Sequence, residues 1–446
     1  MKDNNITLLE LLHLVLEQLN NTECNYAIIH NAQSLDKAIT GDIDLAFNKN
    51  PKQLIYSILK NIQRTYNIKI VQCLHYDIPH GYYFIIEYNN DFLHLDCLYD
   101  PSGLSRYHLS TDFLLNDIIT YNNLNTVNEN NEYIYNLIKR ALKGNLNQSH
   151  IEKICNNYPD NKKTQSIIDE WIGHSNHKTL KNCTPTKHEE VKSLFKRCES
   201  HIQTSYKKNH TLQYYYGKTL SLIRKFNRFI HPTGIFIVIV GPDGCGKTTI
   251  NNTSTTTLKR AFRKTWSFHW RPNLLPKLGK TVKNSNFEEP TDNTPSQKSK
   301  YKGVVSYIRF FYYWLDFIIG YWLVVYPKKA QSTFIIAERY YLDVLVHPER
   351  YGFSCPKWFI QLFGTLVPKP DLTILLSADP QQIYNRKPEL PVNVIGEQIE
   401  KYKESIKGWG DSSIIDTSKS IEISSNELTS KVLEKCEYKL NKQFSN

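Results

Sequence analysis

Eight consecutive residues carry the clearest chemistry in this chain. Gly241-Pro-Asp-Gly-Cys-Gly-Lys-Thr248 fits the pattern GxxxxGK[ST]. Glycines reach backbone conformations closed to other residues, so such a loop can wrap a phosphate with its N–H groups. Gly241, Gly244, Cys245, Gly246, Lys247, Thr248 and Thr249 are the candidate nucleotide-binding residues. Lys247 is placed to neutralise the β- and γ-phosphates, and the Thr248 hydroxyl to meet Mg²⁺. The pattern predicts ATP with Mg²⁺ as ligand and phosphoryl transfer as chemistry. Cys245 reads only as a residue small enough for the loop.

A second set follows at Ala337-Glu338-Arg339-Tyr340-Tyr341. Glu338 would hold Mg²⁺ through water or position a hydroxyl nucleophile, and Arg339 would clamp an anionic acceptor. The alternative is a surface ion pair. Asp343 has two readings, a base that orients a hydroxyl or an acid at a helix N-terminus. His347-Pro348-Glu349-Arg350 reads as an anion contact or as an ordinary turn.

A third set is acidic. In Gly41-Asp42-Ile43-Asp44-Leu45, Asp42 and Asp44 share one strand face while Ile43 and Leu45 turn to the core. Phe92-Leu-His-Leu-Asp96 adds a third acid on a strand of the same alternation. Three carboxylates converging on adjacent strands would hold two Mg²⁺ ions across a triphosphate. His94 reads as a structural neighbour of Asp96.

These sets need elements to position them. Gly234 to Val240 is an unbroken apolar run, which suits a strand buried on both faces of a parallel sheet. Similar runs at Thr333 to Ala337 and Leu372 to Leu376, with helical stretches between, predict a doubly wound α/β sheet over residues 232–446. Residues 1–117 read as a small α/β domain. Its strands fall at Tyr26–Ile29, Ile43–Phe47, Ile68–Leu74, Tyr82–Tyr88 and Phe92–Leu98, with helix at Pro51–Tyr66 and a hairpin turn at Asn89-Asn90. Residues 118–231 read as a helical middle region and linker. Helices are expected at Leu114–Leu124, Tyr133–Lys143, His150–Asn156 and Val191–Ile230, and a loop-heavy stretch at Pro159–Lys187.

Four phrases in order, GPDGCGKTT, ERYYLD, PDLTILLSADP and IYNRKPELP, resemble the thymidylate kinase family, and more closely its relatives found with bacterial surface-polysaccharide genes. The likeness runs from Gly234 to Leu433 and implies a nucleoside-monophosphate-kinase-like fold. It implies catalytic roles for Lys247, for Asp243 as the loop acid that contacts acceptor or arginine, for Glu338 and Arg339, and for Arg386 beside Lys387 in a lid. Glu338 stands where the family has Asp. The family's early Arg-Glu-Pro motif is replaced by His269-Trp-Arg-Pro272, and an Asn/Ser/Thr/Lys-rich stretch fills Asn284 to Lys300. The donor side therefore looks intact and the acceptor side rebuilt. Asp42, Asp44 and Asp96 resemble the metal acids of small nucleotidyltransferases of the DNA-polymerase-β type. The Gly-Ser that normally cradles the triphosphate is replaced by Ile28-Ile-His-Asn-Ala-Gln-Ser34.

Composition bounds the partners. The 446 residues carry a formal net charge of +12, which suits phosphate-rich partners without choosing among them. Nine scattered Cys without a CxxC pair argue against a disulfide framework or structural zinc and for a reducing, cytoplasmic setting. The N-terminus is an amphipathic helix pattern, unlike a signal peptide. Val304 to Tyr326 is nearly long enough to span a bilayer, but Arg309 and Asp316 interrupt it. It reads as a buried helix or one at the inner membrane surface. The favoured expectation is phosphorylation of a sugar, sugar phosphate or glycan, with nucleotidyl transfer or acceptor recognition at the N-terminus. The alternatives are a dTMP-like nucleotide kinase, a nucleic-acid end-processing or NTP-gated binding protein, and a non-enzymatic regulator.

Overall fold

The computed structural model describes residues 6–30, 35, 38, 39, 41–75, 80–276, 278 and 303–445. The expected insert at Asn284 to Lys300 and the replaced cradle at Asn31 to Ser34 lie outside the described residues. The chain divides into two compact units, Met1–Asn227 and Arg228–Asn446.

Unit 1 begins with α1 (Leu8–Asn20), β1 (Tyr26–Ile28), β2 (Ile43–Phe47), α2 (Lys52–Gln63), β3 (Lys69–His75), β4 (Gly81–Tyr88) and β5 (Asp91–Leu98). A capping box starts α1: the Thr7 hydroxyl accepts the Glu10 N–H, and the Glu10 carboxylate accepts the Thr7 N–H. Asn89 and Asn90 take φ of 52° and 64°, the left-handed pair a tight β4–β5 hairpin requires. Next come α3 (Thr111–Leu115), β6 (Ile119–Tyr121), β7 (Leu124–Thr126), α4 (Glu129–Lys143), α5 (Gln148–Asn156), α6 (Lys162–Ile172), α7 (His174–Lys181), α8 (His188–Asn209) and α9 (Thr211–Ile230). The seven-stranded sheet runs β3-β4-β5-β2-β1-β7-β6.

Three expectations for unit 1 change. The helix expected at Leu114–Leu124 stops at Leu115, because Asn122 and Asn123, at φ of 47° and 63°, turn the chain into a second hairpin. The stretch Pro159–Lys187 is helical rather than loop-heavy. The Asn161 side chain caps α6 by accepting from Lys163 and Thr164, and Ile168, Ile172 and Leu180 are buried. Cys155 and Cys183, 28 residues apart, form a disulfide between the ends of α5 and α7; the other seven Cys are free and buried. No spacing signal marks that pair, because the helical turnback brings the two together. The helices after residue 118 share one core with the sheet: Ala27, Ile29 and Leu98 pack in the same cluster as Leu137, Ile168 and Phe195.

Unit 2 contains β8 (Ile235–Val240), α10 (Lys247–Leu258), β9 (Lys264–His269), α11 (Val304–Gly320), α12 (Tyr326–Ala330) and β10 (Thr333–Glu338). It continues with α13 (Tyr340–Val346), α14 (Lys357–Gly364), β11 (Leu372–Ser377), α15 (Pro380–Arg386), α16 (Val392–Ile406), β12 (Ser412–Asp416) and α17 (Ile421–Ser445). The sheet is parallel throughout, in the order β12-β11-β8-β10-β9. All six residues of β8 are buried, as a central strand covered on both faces demands. The stretch Val304–Ala330 is apolar and long enough to cross a membrane by length and composition alone. One face of α11 builds the domain core through Phe310, Tyr313 and Phe317, while Ile308, Phe311, Leu315 and Ile319 are exposed. A π-helical segment, Tyr321–Val325, joins α11 to α12.

Candidate active site at the carboxyl ends of the parallel strands

The phosphate loop leaves β8 where the neighbouring strands lie on opposite sides, β10 and β11, the crevice in which doubly wound sheets bind ligands. Gly241 has φ of 149°, and a Cβ there would stand 2.4 Å from the Leu376 carbonyl oxygen of β11. Only glycine lets the loop start this close to the next strand. Gly246, at φ of 87°, turns the chain into α10. Thr248 and Thr249 are exposed on the first turn, where free N–H groups and the helix dipole favour an anion. A cradle that side chains would fill, a lysine and an exposed threonine hydroxyl fit a Mg²⁺-bound nucleoside triphosphate.

Lys247 is buried within the loop. Its ammonium donates to the carbonyl oxygens of Gly241 (2.9 Å) and Pro242 (2.8 Å) and to Asp243 Oδ1 (3.3 Å). Asp243 gathers two more cations: Arg339 Nη2 donates to Oδ1 at 2.6 Å, and Arg350 Nη2 to Oδ2. Burial alone would raise the Asp243 pKa, but the charges of Lys247, Arg339 and Arg350 outweigh it and hold the carboxyl well below the usual range. Arg339 occupies φ of 76° just after β10, a strained backbone for a non-glycine residue that swings its guanidinium across to the loop.

Behind this cluster lies Asp343, fully buried on α13. It accepts from the Tyr351 hydroxyl (2.5 Å), from the Tyr402 hydroxyl on α16, and from Arg350 Nη1 (3.5 Å). Burial opposes ionisation, yet Arg339, Arg350 and the tyrosine hydrogen bond keep its pKa low. A carboxylate so buried, so acidic and already met by three donors is a poor general base. It orients Arg350 instead.

Other expected residues are placed differently. Glu338, at the end of β10, accepts from Asn251 Nδ2 on α10 at 3.0 Å, so it faces the crevice but is tethered to the loop helix. Arg386 is exposed at the end of α15 and donates to the Thr417 carbonyl oxygen at 2.9 Å. Its neighbour Lys387 is close: a Cβ on Gly244 would stand 3.0 Å from the Lys387 Cβ. Arg271, from the phrase that replaces the family's acceptor motif, is a buried anchor. Its Nη1 bonds Asp316 Oδ2 of α11 at 2.6 Å, and Asp316 also accepts the N–H groups of Asn273 and Leu275. Sequence reasoning left Arg350 open between anion contact and turn, and it passed over Tyr351 and Tyr402. Arg350 lies 107 positions from Asp243 and Tyr402 lies 59 from Asp343, so only the fold shows the contact.

In unit 1, β2 and β5 pair in parallel with Asp44 beside Asp96. Among the described residues no group of three or more His, Cys, Asp or Glu is arranged to hold a metal ion. Asp42 pairs with His94 at 3.3 Å, and Lys139 of α4 stands 3.6 Å from Asp44. Burial and the adjacent Asp44 push the Asp96 pKa up.

The thymidylate kinase family model matches residues 239–428. Among solved structures, the chain is similar to the thymidylate kinase of Ehrlichia chaffeensis, at 19% identity and a TM-score of 0.31, over 45% of this chain and 100% of that one. No curated protein matches the chain. Residues 239–428 are thus similar to the thymidylate kinase family, a family of phosphotransferases that use ATP.

Proposed function

We propose that unit 2 transfers the γ-phosphoryl group of ATP to an anionic sugar-type acceptor, a sugar phosphate or acidic glycan of surface-polysaccharide assembly. The observation that carries this reading is the shared carboxylate: Asp243 holds Lys247 of the donor loop together with Arg339 and Arg350. Three cations face two carboxylates, Asp243 and Asp343, which leaves positive charge for an acceptor anion. ATP with Mg²⁺ would supply the phosphoryl group. The chain's own residues then position and neutralise: the loop amides and Lys247 on the donor, Arg339 and Arg350 on the acceptor.

A sugar is favoured over a nucleobase by the rings on the acceptor side. Trp270 stacks on Tyr351 with centroids 4.5 Å apart and planes 9° from parallel, and Tyr313 and Phe317 close around it. These rings cover one another's faces instead of offering a slot for a flat base. The second reading is a dTMP-like nucleotide kinase; the family match supports a kinase and does not choose between the two. We assign no nucleotidyl transfer to unit 1, because its strand acids are paired with His94 and Lys139.

The test is a panel of acceptors incubated with γ-labelled and α-labelled ATP. Transfer of γ label to a sugar phosphate or glycan, reduced at least about 100-fold by Lys247→Ala, is the expected result. Label on dTMP alone would select the nucleotide kinase, α label would mark nucleotidyl transfer, and γ transfer retained in Lys247→Ala would remove the loop from the chemistry.

A further inference from the structure

Unit 1 holds a cavity of about 770 Å³, within the range of small-molecule sites. The end of β1, the β6–β7 hairpin, α4, α5 and the loop after α5 line it. It opens to solvent, and its walls mix apolar residues such as Ile28, Val127 and Ile154 with ionisable ones. Glu132, Asn136 and Arg140 stand four residues apart on α4 and so form one stripe along the cavity, while Ile134, Leu137, Ile138 and Ala141 of the same helix go to the core.

The stripe is divided by charge. Glu132 is held by Lys153 Nζ at 3.1 Å and by His30 Nδ1 at 3.4 Å. That bond fixes the His30 ring and leaves its Nε2 buried with no hydrogen-bond partner among the described residues, which costs about 1–3 kcal/mol if nothing meets it. At the other end, Arg140 forms no close ion pair among the described residues, although it feels the charge of Asp44, and its Nη1 donates to Asn145 Oδ1 at 3.4 Å. Burial and the charges of Arg140, Lys143 and Lys153 hold the nearby His150 pKa low, a sign of positive potential there. Tyr158 adds aromatic surface beside the Glu132 end. None of Asp42, Asp44 and Asp96 lines the cavity.

We propose that this cavity binds a phosphorylated sugar of mono- to disaccharide size, with its phosphate on Arg140 and its hydroxyls on Glu132, Asn136 and His30 Nε2. The Glu132 carboxylate and Asn136 amide on one helix face, with the His30 imidazole bonded to that carboxylate, bring acceptors and donors together, as sugar hydroxyls require. An arginine without a carboxylate in direct contact among the described residues suits a phosphate. The inference stands on unit 1 alone and does not depend on the chemistry of unit 2.

Titration calorimetry on the full chain tests it, with glucose 1-phosphate, glucose 6-phosphate, glucose, inorganic phosphate and AMP as probes. Saturable binding of a hexose phosphate is expected, weakened at least about 10-fold by Arg140→Gln and by Glu132→Gln. Arg140 is partly exposed, and circular dichroism of Arg140→Gln separates lost binding from lost fold. Three results overturn the proposal: no hexose phosphate binds, Arg140→Gln and Glu132→Gln both bind as before, or AMP or inorganic phosphate binds as tightly as the sugar phosphates.

Discussion

Asp243 and Asp343 divide the work at the active site. Asp243 links the donor lysine to two arginines, and Asp343, out of reach of solvent, fixes one of those arginines from behind. Arg350→Gln should therefore raise the acceptor KM about 10-fold or more while the ATP KM stays within about 2-fold, because one charge-assisted contact of about 1.5–3 kcal/mol is lost on the acceptor side only. Steady-state kinetics with each substrate varied would check it; equal loss on both sides would place Arg350 on the donor. The phosphate loop was legible in the sequence because its eight residues are contiguous. Arg350 was not, since its meaning depends on a carboxylate far away in the chain. A second residue-scale effect concerns His108 of unit 1, whose ring stacks on Tyr206 of α8 at 3.7 Å. Burial, helped by the nearby His210, pulls its pKa down to about 4. Folding then favours the neutral ring, so its contribution is present above about pH 6.5 and is lost as pH falls toward about 4. Urea melts of unit 1 should lose stability across that window, and His108→Phe, which keeps the stack, should flatten the slope. An unchanged slope would assign it to other groups.

Elements were legible where burial on both faces leaves an apolar run. β8, β10 and β11 fit that rule. β9 (Lys264–His269) and β12 (Ser412–Asp416) escaped it because they are edge strands, largely exposed and polar, whose pairing is decided by the neighbour. The apolar helix α11 shows how one element can satisfy two sequence readings. Its hydropathy suits a membrane, but Asp316 on its inner face is fully buried in an ion pair with Arg271, with side-chain exposures of 0% and 1%. That pair pins the segment after β9 to α11 and shapes the acceptor side. Asp316→Ala leaves a buried guanidinium without its carboxylate and should destabilise unit 2 by about 3–5 kcal/mol. The double change Arg271→Met with Asp316→Leu should recover most of that loss, because the charge is removed along with its partner. Denaturant melts of the two variants beside the unaltered chain test this, and a double variant as unstable as Asp316→Ala would show that the pair's hydrogen bonds to Asn273 and Leu275 matter more than its charge.

The whole molecule joins two units that each own a sheet and a core. Every residue assigned to the phosphoryl-transfer site, from Gly241 to Tyr402, lies in one contiguous stretch of unit 2. The sheet of that unit is complete within Arg228–Asn446, with β8 at its centre, and its aromatic core draws on no residue before Phe236. A contiguous segment with its own buried core meets the requirement for independent folding. The sequence placed this boundary near residue 231 from the onset of the apolar run, but it did not show that the helical middle belongs with the first sheet. That attachment rests on scattered apolar positions of α4, α6 and α8 closing over β1. A fragment of residues 228–446 should therefore fold cooperatively and bind ATP with a Kd within about 3-fold of the full chain, since no donor contact is removed. Lys247→Ala in the same fragment should abolish that binding. Calorimetry on both forms decides the matter: a fragment that melts non-cooperatively, or that binds ATP more than about 10-fold more weakly, would mean that unit 1 completes the donor site.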